Sequence, residues 1–116
     1  MPVSVQFIAG LNEELSEISL RKRQGSSAKI VVFKFDRVQA MEKGRSFVSK
    51  IDSMMLRDDE GEIKVYPNGI KFMFVDDDNL SKAECTFEVD SDDDWNRVMR
   101  FMNRYGEAYG FEFKGN

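Results

Sequence analysis

One stretch of this chain carries helical periodicity, and the apolar runs before it alternate as strands do. That contrast sets the fold class. Near the C-terminus Trp95, Val98, Met99, Met102 and Tyr105 recur at spacings of three and four and define one apolar helix face. Ser91 can cap that helix, and Asp92, Asp93 and Asp94 fill its first turn, where negative charge complements the helix dipole. Gly106 is the expected stop, so a helix is predicted over residues 92–105.

Upstream the pattern is β. In the run Ala28 to Phe35, Val31, Phe33 and Phe35 share one face, and Ile30, Val32 and Lys34 the other. Ile70 to Val75 repeats the form, with Ile70, Phe72 and Phe74 opposite Lys71, Met73 and Val75. Ala83 to Val89 alternates most cleanly, with Ala83, Cys85, Phe87 and Val89 predicted inward. Shorter strands are read at Val3–Ile8, Ile18–Lys22, Met54–Arg57 and Glu62–Tyr66.

Gln24-Gly25-Ser26-Ser27, Asp59-Glu60-Gly61 and Pro67-Asn68-Gly69 are turn signals, and Asp76-Asp77-Asp78-Asn79 opens a longer loop. Connections this short imply antiparallel neighbours, so residues 54–89 read as a four-stranded meander. Residues 36–53 are read as a loop with room for one helical turn. The expected architecture is α+β: a mainly antiparallel β-sheet, in one layer or two, closed by one C-terminal amphipathic helix. With 116 residues, 41% hydrophobic and 33% charged, the chain is expected to form a single domain over 1–116 around one core.

Chemistry is constrained by what is missing from the sequence. There is no histidine, which removes the commonest general base and the commonest transition-metal ligand. Ser-His-Asp, Cys-His and His-containing zinc sites cannot be built. The single cysteine, Cys85, cannot form an internal disulfide and falls on an inward strand position, as a buried apolar group would. Asp90, Asp92 and Asp94 have the spacing that opens a calcium loop, but Trp95 and Phe101 stand at its sixth and twelfth positions. No phosphate loop or dinucleotide fingerprint is present. No catalytic residue, cofactor or metal is therefore expected, and the chain is read as a binding protein and not an enzyme.

The charge balance, 17 basic against 21 acidic residues for a net of −4, argues against general nucleic-acid binding. No run approaches the length of a membrane span, and Met1–Gly10 lacks the form of a secretory signal, so a cytoplasmic compartment is expected. Two basic groups are candidate docking surfaces. Arg97, Arg100 and Arg104 recur along the helix on the side away from the apolar face, either as a solvated face partly paired with Asp93 and Asp94 or as a docking stripe for acidic side chains or phosphates. Arg21, Lys22 and Arg23 form the second, where edge protection is the plainer explanation. Replacing the three helix arginines with Glu is expected to weaken docking and spare the fold. Truncating Trp95 is expected to cost about 3–5 kcal/mol, as for a large buried aromatic. The apolar character of both faces of the long strands calls for a second strand layer or a partner.

The segment Asp94-Trp95-Asn96-Arg97-Val98-Met99-Arg100-Phe101-Met102-Asn103-Arg104-Tyr105-Gly106-Glu107 resembles the end of the photosystem II reaction centre W protein family, the Psb twenty-eight family. Met54 to Ile63, Val5-Gln6-Phe7 with Gly10, and Phe33-Lys34-Phe35-Asp36-Arg37 resemble it too. Val98 stands where a larger aromatic is expected, and no proline follows Arg37, which suggests a divergent paralogue.

The resemblance implies a non-catalytic factor that docks transiently on photosystem II assembly or repair intermediates. Its implied partners are reaction-centre subunits and a core antenna chlorophyll protein. It would be a monomer held peripherally, through protein contacts, at the cytoplasmic side of the thylakoid membrane, with a free cytoplasmic pool. The competing reading is a general peptide- or RNA-binding β module in which Phe72 and Phe74 stack bases. Alternation puts both on the core face, and the net charge opposes it.

Overall fold

Alternation of apolar and polar residues produces the strands, and pairing among them sorts the chain into two sheets. A computed structural model describes residues 3–22, 25, 28–39, 52–74, 80–110 and 114–115; of these, 72–74, 80, 81, 114 and 115 are described by their backbone alone. Among the described residues there are nine strands and one helix. The strands are β1 (Ser4–Ile8), β2 (Leu11–Glu13), β3 (Glu17–Lys22), β4 (Lys29–Phe35), β5 (Met54–Asp58), β6 (Gly61–Val65), β7 (Gly69–Phe74), β8 (Leu80–Val89) and β9 (Lys114–Gly115). The helix α1 spans Asp92–Tyr109.

One sheet has the order β2-β1-β5-β6 and the other β7-β8-β4-β3-β9. All pairs are antiparallel except β3 with β9, which is parallel. The architecture is α+β, as expected, with the strands in two sheets.

The core face of the larger sheet is set by register. Ile18 opposes Phe33, which opposes Cys85, and Leu20 opposes Val31, which opposes Phe87. Val31, Phe33, Phe35, Ala83, Cys85, Phe87 and Val89 are all buried, on the face that alternation assigned. They join one cluster with Val5, Met54, Leu56 and Val65 of the smaller sheet and Val98, Phe101, Met102 and Tyr105 of the helix. The Phe33 and Phe87 rings meet edge to face at 5.3 Å, an arrangement favoured by the ring quadrupoles. On the opposite face Val32 is also buried, between Ser19 and Thr86 in register, while Ile30 is half-buried.

The structure corrects three expectations. Residues 54–89 do not form one meander: β5–β6 is a hairpin of the smaller sheet and β7–β8 of the larger. The chain changes sheets at 66–68, where Pro67 has no N–H to continue pairing and Asn68 N–H already donates to Thr86 O of β8 at 2.7 Å. The helix runs through Gly106 and ends at Gly110, whose φ of +71 and N–H bond to Gly106 O (2.8 Å) form a left-handed cap. Tyr109 holds the added turn, stacking on Tyr105 at 4.3 Å and donating its hydroxyl to Val3 O at 3.0 Å.

The third correction concerns Trp95, which is half-buried at the core margin with the Lys29 ammonium 4.5 Å above its ring. Much of the expected 36–53 loop, namely 40–51, lies outside the described residues, as do Val75 and the Asp76–Asn79 loop. The β2 and β9 strands were not foreseen.

Candidate functional site: an arginine clamp on the helix

The β5–β6 hairpin closes on the pair Asp58 and Gly61, with Asp59 and Glu60 at the turn. Gly61 has φ +125, a conformation that side-chain-bearing residues rarely adopt. Asp58 follows Met54 and Leu56 on the inward face of β5, so alternation carries a carboxylate into the protein, where it has almost no exposed surface. An ionised group there requires counter-charge and hydrogen bonds.

The helix supplies both. Arg97 donates through Nη1 and Nη2 to Asp58 Oδ2 and Oδ1 at 2.8 and 2.6 Å, a bidentate pair. Arg104 Nη1 reaches Asp58 Oδ2 at 2.9 Å and Glu60 Oε2 at 2.5 Å. Arg100 grips Glu60 through Nε and Nη2 at 2.7 and 2.9 Å. The Glu60 N–H donates to Asp58 Oδ1 at 3.0 Å and fixes the turn itself.

Burial pushes the Asp58 carboxyl up, but hydrogen bonds from Arg97, Arg104 and the Glu60 N–H outweigh it and hold the group at about 2. Bonds from Arg100 and Arg104 lower Glu60 to about 2. Arg100 and Arg104 are raised in turn, first by their bonds to Glu60.

The three helix arginines expected to act together are thus brought together, but on the β5–β6 turn and not on Asp93 and Asp94. Their side chains are 20%, 49% and 33% exposed at Arg97, Arg100 and Arg104, so only Arg100 offers much surface to solvent. Replacement of all three by Glu is now expected to destabilise the fold, because it would set carboxylates against buried Asp58. Arg21 and Lys22 are exposed at the end of β3, in the other sheet; Arg23 lies outside the described residues. Asp58 and Glu60 were missed from sequence. The available signal was the parity of Asp58 with Met54 and Leu56, since a charge on an apolar face demands a partner.

Burial raises the Cys85 thiol to about 12, which leaves it protonated and unreactive near neutral pH. Among the described residues no three Cys, Asp or Glu side chains converge as a metal site requires, and no helix is long and apolar enough to cross a membrane.

Residues 5–113 match the family model described as Psb28 protein. The chain is 30% identical over 114 residues, 97% of each sequence, to the Photosystem II reaction center Psb28 protein of Acaryochloris marina. It is 33% identical over 112 residues to the Photosystem II assembly factor Psb28 protein of Thermosynechococcus vestitus, covering 95% of this chain and 90% of that one. With the Photosystem II reaction center Psb28 protein of Pyropia yezoensis it shares 31% over 111 residues, 95% and 94% of the two.

Proposed function

The chain belongs to the Psb28 family, and from that premise we propose that it is a non-catalytic accessory factor of photosystem II. It binds assembly or repair intermediates at the cytoplasmic face of the thylakoid membrane and contacts reaction-centre subunits and a core antenna chlorophyll protein. Association is peripheral and made through protein. The observation that carries this reading is the family match across residues 5–113, which takes in every strand but β9 and the arginine-bearing helix.

Arg97 and Arg104 are engaged within the chain, so in this reading the docking cations are Arg21, Lys22 and the outer edge of Arg100. Arg23 extends the first group in sequence. Exposed basic side chains of this kind act on encounter rate and register more than on raw affinity. The helix clamp then has a supporting role: it holds the β5–β6 hairpin against α1 and keeps the docking surface rigid.

The test is co-purification of the tagged chain from gently solubilised thylakoids. Photosystem II core subunits lacking the mature oxygen-evolving set should accompany it. Recovery of the free chain alone would overturn the reading. Within that experiment Arg21→Glu with Lys22→Glu should lower the yield of core subunits while leaving the thermal midpoint unchanged.

A further inference from the structure

A groove of about 420 Å³ opens at one end of the sandwich, between β6, the end of β8 and the first turns of α1. That volume falls within the ordinary range for sites that take a small ligand or a side chain. Its apolar lining is Ile63 and Val65 from β6, Phe87 and Val89 from β8, and Val98 from α1. Tyr66 forms one wall and is 63% exposed, one of two large hydrophobic side chains exposed among the described residues. The other, Tyr109, is anchored by its hydroxyl and its ring stack, whereas Tyr66 has the Lys64 ammonium over its ring at 5.5 Å.

The polar lining is asymmetric in charge. Asp90 and Asp94 stand at the helix end, both exposed, and neither carboxylate is bonded to another described residue. Asp92 and Asp93 lie in the same turn and add to the negative potential. Arg97 also lines the groove, but its charge is matched by Asp58. Lys64 is therefore the one lining cation, among the described residues, not already committed to a buried carboxylate. The site offers a half-open slot, floored by the edges of the buried side chains Val65, Phe87, Val89 and Val98 and walled by Tyr66, with an acidic lip.

We propose that this groove receives an apolar side chain flanked by lysine or arginine on a partner polypeptide. The apolar residue enters beside Tyr66, and the flanking cation meets Asp90 and Asp94. The choice of a protein partner rests on the function proposed above. Membrane subunits carry an excess of lysine and arginine in their short cytoplasmic segments, the chemistry this lip selects.

The full chain, isotopically labelled, can be titrated with a blocked hexapeptide of alternating lysine and leucine, and with its counterpart in which glutamate replaces lysine. The lysine peptide should shift the amides of Tyr66, Asn68, Val89 and Asp94 and bind about tenfold more tightly than the glutamate peptide. Tyr66→Ser and Asp90→Asn, both at exposed positions, should each weaken it by about threefold or more at an unchanged thermal midpoint. Equal binding of the two peptides, or shifts confined to the Arg21 and Lys22 end, overturns the proposal. So does a dimer in sedimentation that Tyr66→Ser dissolves, because the groove would then serve a second copy.

The same variants in the thylakoid co-purification separate the two readings. If wild type and variants recover photosystem II subunits equally, the groove proposal fails alone. If wild type recovers none, the assembly reading fails and the peptide titration still decides the groove.

Discussion

Asp58 is a carboxylate without exposed surface, and its partners set both what it contributes and where it is vulnerable. Asp58→Ala would leave Arg97 mostly buried without its bidentate acceptor, at a cost of about 3 kcal/mol in urea unfolding. Glu60→Gln, at the exposed turn, should cost clearly less; equal losses would mean that the two carboxylates are equivalent. The pH dependence has a definite sign. Asp58 titrates at about 2 in the folded chain against an ordinary value of 3.8, so its contribution is complete above 3.8 and is lost as the pH falls through about 2. The shift corresponds to about 2 kcal/mol. The stability advantage of wild type over Asp58→Asn should therefore shrink by that amount between pH 5 and pH 2, and a constant difference would refute the assignment. Trp95, half-buried beside Lys29, should cost only about 1–2 kcal/mol on truncation to alanine, whereas fully buried Phe101 should cost about 3–5.

Helix α1 was legible in the sequence because its signals are local. Ser91 does accept from the Asp94 N–H at 3.1 Å, and Val98, Met102 and Tyr105 do face the core. Its end was not, because glycine inside a helix costs only about 1 kcal/mol and tertiary contacts override it. Those contacts are made by Tyr109 with Tyr105 and Val3, and no local pattern encodes them. The partners of the arginines were hidden for the same reason: their spacing was visible, but Asp58 and Glu60 lie about forty positions away in sequence. Gly110→Ala tests the revised end. An added Cβ would meet nothing within 4 Å, so only the left-handed backbone resists it, at about 1 kcal/mol. Ser91→Ala should cost a similar amount at the other end. Thermal unfolding of each variant measures both, and a silent Gly110→Ala would place the true stop elsewhere.

At the scale of the molecule, faces were readable and sheet membership was not. Alternation gives a residue its side of a sheet, but the same pattern in β6 and β7 suits either one sheet or two. What separates them is the change of sheet at 66–68, together with the pairing of β5 to β1 and of β8 to β4, both distant in sequence. The helix then ties the two sheets through one continuous core, since Val98, Phe101, Met102 and Tyr105 belong to a cluster that holds residues of both. A shared core has a thermodynamic consequence: neither sheet has a separate apolar interior to keep once the other is lost, so the chain should unfold in a single cooperative transition. Trp95 is the only tryptophan and reports on the helix beside the larger sheet, while far-ultraviolet circular dichroism reports on both sheets. Met54→Ala in the smaller sheet and Phe87→Ala in the larger should each lower stability by about 3 kcal/mol. Both substitutions should move the fluorescence and dichroism midpoints together, although only Phe87 lies in the sheet next to the probe. If Met54→Ala shifts the dichroism curve and leaves the Trp95 curve in place, the sheets unfold independently, and the helix does not couple them.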